Sequence, residues 1–179
     1  MFCIGGSSHV GKDAFKNALN LKFWEGLDRK RDVVFPGPIL SVSGGGIHDS
    51  EKFVQFATQV SEGVGYKGQI FQLVLGTNDA SNGLWDQDFV FAKYKELCLA
   101  LLRIPKLVLM PTSLLPRSFN PKQPKRNPNM YPTSETIRDV CADLRLDPQF
   151  LDRVKFVNAY DNIGKVVSND LGIKVLGAT

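Results

Sequence analysis

Three apolar runs in the first half of the chain end abruptly in glycine and small polar residues. They are Phe2–His9, Ile39–Gly46 and Leu73–Asp79. Uninterrupted apolar stretches rich in branched residues are typical of strands buried inside a parallel sheet. The carboxyl ends of such strands meet at one edge, which is where doubly wound proteins bind their ligands. The pattern therefore predicts a site at this edge, with Asn78 facing it.

Strand-like and helix-like segments alternate along the whole chain. Apolar runs predict strands over residues 1–6, 39–43, 69–75, 106–112 and 154–159. Apolar residues at helical spacing, with caps and breakers at their ends, predict helices over 11–30, 50–63, 86–103 and 133–146. The proline-rich stretch 116–132 suits neither a helix nor an inner strand. This alternation predicts an α/β protein, a three-layer α/β/α sandwich with a five-stranded parallel sheet and right-handed crossovers.

Size and composition favour one soluble domain over residues 1–179. The 179 residues, 43% of them hydrophobic, suffice for one substantial core. No run approaches the roughly 18 apolar residues that span a bilayer, and the first residues do not resemble a signal peptide. The widely spaced Cys3, Cys98 and Cys141 suggest neither disulfides nor a metal site. We therefore expect a cytoplasmic protein without a membrane span, metal or cofactor.

Three short motifs, in this order, resemble the conserved blocks of the SGNH, or GDSL, hydrolases. Gly6-Ser7-Ser8 lies where the family has Gly-Asp-Ser, and Gly44 follows the second strand as the family's second glycine does. Gly76-Thr77-Asn78-Asp79 matches Gly-x-Asn-Asp in full. The resemblance covers residue 1 to about 175. It implies the family's flavodoxin-like topology and hydrolysis of a small ester, with Ser8 as nucleophile or, if the motif is shifted by one residue, Ser7.

Elementary chemistry agrees with this comparison. A serine hydroxyl at the start of a helix lies at the positive end of the helix dipole. The N–H groups of that serine and of Gly44, and the side-chain amide of Asn78, could converge on the oxyanion of a tetrahedral intermediate. Glycine at position 44 would let a backbone donor approach the substrate without a Cβ in the way. These residues predict an esterase site.

The family's fourth block, Asp-x-x-His, is matched only in part. Asp170 lies near the position of the acid that orients the base, whereas Lys174 replaces the histidine, and no histidine occurs after His48. Either His48 or Lys174 could act as the base, while His9, directly after Ser8, should point elsewhere. Loss of a triad base slows catalysis by orders of magnitude. We therefore expect an impaired or inactive esterase.

A phosphate-binding loop is a weaker alternative. The segment Gly6-x-x-x-x-Gly11-Lys12 has the loop's spacing between a predicted strand and a predicted helix. However, Asp13 replaces the serine or threonine that would hold magnesium, and no second strand ends in an acidic residue. Nucleotide binding is therefore the least favoured hypothesis.

A binding module for RNA is the second main hypothesis. Noncatalytic SGNH-like domains occur, for example the RNA-binding OSK domain of Oskar, and others occur in retrotransposon proteins. The chain carries a net charge of +4, and its basic residues cluster at Arg29, Lys30, Arg31, Arg117, Lys122, Lys125 and Arg126. Phe119 and Tyr131 lie near the second cluster. Cationic groups interleaved with aromatic rings can hold phosphates and stack bases, which is why RNA is the alternative partner.

Overall fold

The computed structural model describes residues 2–7, 36–81, 85–114 and 129–161. Four parallel strands form one sheet in the order β2-β1-β3-β4, and they are β1 (Phe2–Ser7), β2 (Pro36–Val42), β3 (Gln69–Val74) and β4 (Leu107–Pro111). The helices are α1 (Ser50–Gly63), α2 (Thr77–Ala80), α3 (Gln87–Leu102) and α4 (Met130–Leu144), with a 3-10 turn at Ile47–Asp49. This strand order confirms the predicted fold class and topology, whose switch point lies between β1 and β3.

One face of the sheet is sealed by helices. Right-handed crossovers from β2 to β3 and from β3 to β4 advance in the same direction, so α1 and α3 lie on the same face. On that face Phe71, Leu73 and Leu109 are fully buried, whereas the alternate residues of β3 and β4 are half-buried. Gly5 also lies there, and a Cβ on it would come within 2.6 Å of the Phe71 ring. Glycine in β1 therefore lets the aromatic core pack directly on the strand.

A buried polar cluster fastens α1 to the sheet. The Gln69 amide, only 2% exposed, donates to the Ala57 carbonyl at 2.7 Å and to the Ser61 hydroxyl. Its carbonyl accepts from the Cys3 thiol at 3.1 Å. Because a buried amide without hydrogen-bond partners would lower stability, the network fixes the helix to the first residues of β1 and β3.

The predicted fifth strand is interrupted. Leu109 bridges Val154 and Thr112 bridges Val157 in one register, so the chain does run parallel to β4. The Leu109 amide donates to Arg153, and the Val157 amide donates to Pro111. Proline has no N–H, however, so one bond of the ladder between these bridges cannot form. The described sheet therefore has four regular strands instead of five, and the fifth segment joins it only by bridges.

Helices α4 and α2 also differ from the prediction. Helix α4 begins at Met130, three residues inside the stretch we expected to be irregular, because Pro132 falls in its first turn, where proline is tolerated. Helix α2 was not predicted at all. The expected helix over 11–30 lies outside the described residues. No helix within the described ranges is long and apolar enough to cross a bilayer.

Candidate active site

The ends of the first three strands lie side by side. Ser7 pairs with Val42, and Gly6 pairs with Val74, so the loops after β2 and β3 begin beside the end of β1. Ser7 is 2% exposed. Since side chains alternate along a strand, Ser7 shares the helix-covered face with Gly5. Ser8, the next residue in the sequence, lies outside the described residues.

The loop after β2 turns tightly at Gly44. The Gly45 N–H donates to the Val42 carbonyl at 2.9 Å, and Gly44 between them has a φ of +65°. A Cβ on Gly44 would meet no atom within 4 Å, so the position requires glycine for its backbone conformation and not for lack of space. The steric reason expected from the sequence concerns an approaching substrate and stays a prediction. The turn leaves Gly44 exposed at the edge.

Backbone N–H groups in this loop divide into paired and unpaired donors. The three that follow Gly44 are hydrogen-bonded: Gly45 to Val42, Gly46 to the Asp49 carboxylate at 3.2 Å, and Ile47 to Asp79. The Gly44 N–H has no acceptor among the described residues. An exposed donor held by a fixed turn is what an oxyanion site requires.

Asn78 joins the two loops. Its Nδ2 donates to the Gly45 carbonyl at 2.7 Å, which brings the Gly-x-Asn-Asp motif against the turn at Gly44. An amide nitrogen carries two hydrogens, so one N–H remains for a ligand. The structure therefore brings together Gly44 and Asn78, the two oxyanion residues expected from the sequence that it describes.

Asp79 anchors the loop after β2, a role that the sequence analysis did not predict. Both carboxylate oxygens accept from the Ile47 N–H, at 3.1 and 3.2 Å. Burial raises the pKa of Asp79, and the hydrogen bond from Ile47 opposes that shift. A Cβ on Gly46 would lie 2.8 Å from Asp79 Oδ1, so glycine there permits the close approach. The signals in the sequence were the acidic residue that ends the motif and the run of three glycines.

Gly76 is required for both its conformation and its size. Its φ is +120°, and a Cβ would lie 3.0 Å from Leu114 Cδ2 and 3.3 Å from Thr133 Cγ2. The glycine of the motif thus lets the chain after β4 and the start of α4 pack onto the site. Without that packing Asn78 and Asp79 would lose their support.

His48 lies at the outer side of the same loop. Its side chain is 75% exposed, and Nε2 lies 3.1 Å from Asp49 Oδ2. The same carboxylate bonds Lys52 at 2.6 Å, and chiefly this contact lowers the pKa of Asp49. When Nε2–H donates to Asp49, Nδ1 is left as a proton acceptor. His48 therefore has the carboxylate partner that a base needs.

The thiols are poorly suited to nucleophilic catalysis. Cys3, Cys98 and Cys141 are free and buried. Burial raises the pKa of Cys3 and of Cys141 to about 12, and it raises that of Cys98 well above its usual range. Only the thiolate is a good nucleophile. Within the described ranges, no cluster of three or more histidine, cysteine or acidic residues could hold a metal ion.

Several predicted site residues lie outside the described residues. For the esterase site they are Ser8, Asp170 and Lys174, and for nucleotide binding they are Gly11 and Lys12. For RNA binding they are Arg29, Lys30, Arg31, Arg117, Lys122, Lys125 and Arg126. Their roles stay predictions.

Comparison with known proteins supports the fold by structure alone. No protein-family model and no curated protein matches the sequence. The structure is similar to a GDSL-like lipase from Bacteroides thetaiotaomicron, with a TM-score of 0.53 and 15% identity over 88% of this chain and 67% of the lipase. It is also similar to an acetyl xylan esterase, with a TM-score of 0.57 and 15% identity over 97% of this chain and 85% of the esterase.

A third similar structure is a gut microbial diltiazem-metabolizing enzyme, with a TM-score of 0.56 and 14% identity. The match covers 95% of this chain but only 39% of that enzyme. The strand order, the Gly-x-Asn-Asp loop and these neighbours agree on one architecture. The protein has an SGNH/GDSL-hydrolase-like fold.

Proposed function

We propose that this protein hydrolyses small carboxylic esters through Ser8, with Gly44 and Asn78 as oxyanion donors. The observation that carries the proposal is the 2.7 Å bond from Asn78 Nδ2 to the Gly45 carbonyl, beside an exposed Gly44 N–H without an acceptor among the described residues. This bond and this exposed residue lie at the edge where β1 ends, which supports an oxyanion role for Gly44 and Asn78. The similarity to an acetyl xylan esterase supports the same chemistry.

In the proposed reaction the Ser8 hydroxyl attacks the ester carbonyl carbon, and its proton passes to a base. The carbonyl oxygen becomes an oxyanion held by the two donors, and the alcohol leaves with a proton. Water then hydrolyses the acyl-enzyme to the free acid. Ser7 is less suitable as the nucleophile, because it is 2% exposed and points to the helix-covered face.

The base decides the rate of this reaction. Lys174 replaces the family's histidine, and His48 is the imidazole that the structure pairs with a carboxylate, Asp49. Neither arrangement reproduces the usual Asp-x-x-His block. We therefore expect slow turnover, several orders of magnitude below that of an intact triad.

The first test is covalent labelling with a fluorophosphonate, which reports a reactive serine even when turnover is slow. Mass spectrometry of the digested protein should place the label on Ser8. Hydrolysis of p-nitrophenyl acetate over about pH 6 to 10 then compares the wild type with Ser8→Ala and Ser7→Ala. We expect Ser8→Ala alone to abolish both the label and the activity.

Substitutions of the two candidate bases complete the test. We compare the rates of labelling in His48→Gln and Lys174→Gln. The substitution that lowers the rate identifies the proton acceptor. If the wild type is not labelled and hydrolysis stays at background in all variants, the esterase proposal is refuted. In that case salt-dependent binding of single-stranded RNA, weakened by neutralising Arg117 and Lys122, becomes the experiment to pursue.

A further inference from the structure

A cleft of about 480 Å³ opens next to the segments that carry the candidate oxyanion donors. It lies between the 3-10 turn and α3, and Asp79 forms part of its wall. This volume falls within the range of about 300 to 1,000 Å³ that is usual for small-molecule sites. Ile47 and Asp79 lie on the two loops that carry Gly44 and Asn78. Gly44 and Asn78 do not line the cleft themselves, but each lies within three residues of a residue that does.

Most polar groups that line the cleft already have protein partners. Lys93 Nζ lies 3.0 Å from Glu96 Oε2, and His48 pairs with Asp49. The Asp79 carboxylate accepts from the backbone of Ile47. A polar ligand would have to compete with these bonds. An apolar ligand leaves them in place and still removes apolar surface from water.

Ser50 and four apolar residues complete the lining. Ile47 and Leu97 are buried, Ala100 is partly buried, and Phe89 is 59% exposed. When an aliphatic chain covers an exposed phenyl ring, apolar surface is removed from water and binding becomes more favourable. Ala100, one of the smallest side chains, leaves the wall open in α3. The chemistry of the cleft therefore favours a flexible hydrocarbon chain.

We propose that this cleft receives the hydrocarbon chain of the substrate, so that the preferred substrates are medium-chain esters instead of acetates. The inference rests on the proposed esterase function. Burial of each methylene contributes about 0.8 kcal/mol, which corresponds to about fourfold in kcat/KM when burial is complete. The chain can belong to the acyl group or to the alcohol, and two series of esters distinguish these sources.

The experiment measures kcat/KM for p-nitrophenyl esters from acetyl to octanoyl, and for acetate esters from methyl to octyl. In one series kcat/KM should rise by about two- to fourfold per methylene. Ala100→Phe fills the cleft, so it should reduce activity on the longest ester at least tenfold and leave p-nitrophenyl acetate within about twofold. The matched control is Ala92→Phe, which places the same ring on the exposed side of α3. Phe89→Ala, at an exposed position, should flatten the series without endangering the fold.

Binding separates failure of this inference from failure of the esterase proposal. Saturation-transfer NMR with octanamide, which is not hydrolysed, should show contact in the wild type and in Ala92→Phe but not in Ala100→Phe. If no ester is hydrolysed but this binding pattern is observed, the esterase proposal fails, whereas the inference that the cleft binds a hydrocarbon chain is supported. Activity that is independent of chain length would contradict the proposed role of the cleft. Octanamide contact that is equal in both phenylalanine variants would contradict it too.

Discussion

The loops after β2 and β3 both contain a glycine with positive φ, but the two glycines serve different purposes. Gly44 has a φ of +65° and open space where a Cβ would be, whereas Gly76 has a φ of +120° and packs against Leu114 and Thr133. The first lies exposed, and the second is buried. The loop after β2 leaves a backbone donor accessible, whereas the loop after β3 is packed against the core.

The difference shows how the candidate site is divided between binding and support. The loop after β3 is fixed by packing, and through Asn78 and Asp79 it holds the loop after β2 at Gly45 and Ile47. The packed segment after β3 thus restrains the loop after β2, which is the loop that would contact the substrate. Substitutions in the β3 loop should therefore lower stability first, whereas those at Gly44 should act on binding.

Gly76→Ala should have the largest effect on stability. A positive φ costs a side chain about 1 to 2 kcal/mol, and crowding of Leu114 and Thr133 adds at least about 1. We expect the free energy of unfolding to fall by about 3 kcal/mol in urea denaturation. Gly63→Ala is the matched control, since Gly63 ends α1 with open space around it. Equal stability of the two variants would contradict the packing role of Gly76.

Asp79→Ala should come next, with a loss of about 2 kcal/mol, because it leaves the Ile47 N–H without its acceptor. Asp79→Asn keeps an oxygen acceptor and should lose less. The folded protein raises the pKa of Asp79, so it binds more protons than the unfolded chain between the ordinary and the raised value. The contribution of this residue is therefore largest below the ordinary pKa and is lost as pH rises through the raised one.

Urea denaturation of the wild type and Asp79→Asn over an acidic pH series checks that sign. The difference in unfolding free energy between the two proteins should change in favour of the asparagine variant as pH rises. A difference that is constant with pH would show that the carboxyl group titrates alike in the folded and unfolded states.

Asn78→Ala should reduce stability by about 1.5 kcal/mol, because the Gly45 carbonyl loses its partner. Under the proposed function it should also lower kcat about 100-fold, as removal of an oxyanion donor does. Denaturation and ester hydrolysis are measured on the same preparation. Loss of stability with full activity would place the amide in a purely structural role.

Gly44→Ala should have the smallest effect on stability, about 1 kcal/mol, which is the cost of its φ alone. Gly65→Ala is a close control: Gly65 has a φ of +60° with open space, and it lies outside the candidate site. Both variants should lose similar stability in thermal denaturation, but only Gly44→Ala should lose esterase activity. Parallel loss of activity in both would contradict a binding role for the Gly44 loop.

Much of the architecture follows from patterns within short segments. Apolar runs ending in glycine predicted β1 to β3 and the edge at which they end, and a further apolar run predicted β4, because strands inside a parallel sheet leave such runs in a sequence. The sequence predicted that Asn78 and Gly44 converge on an oxyanion, and the structure shows the Asn78 amide bonded to the carbonyl of the neighbouring Gly45. Whether Ser8, Asp170 and Lys174 complete that site stays a prediction.

Residue patterns alone were enough to predict the fold class, the order of the elements and the chemical character of one sheet edge. The packed fold was needed to show that Gly44 has a positive φ, that Asp79 accepts from Ile47, that Pro111 interrupts the fifth strand, and that a cleft opens beside α3. Local periodicity reports which residues are buried, but these contacts join residues distant along the chain, whose distances arise only when helices and strands pack.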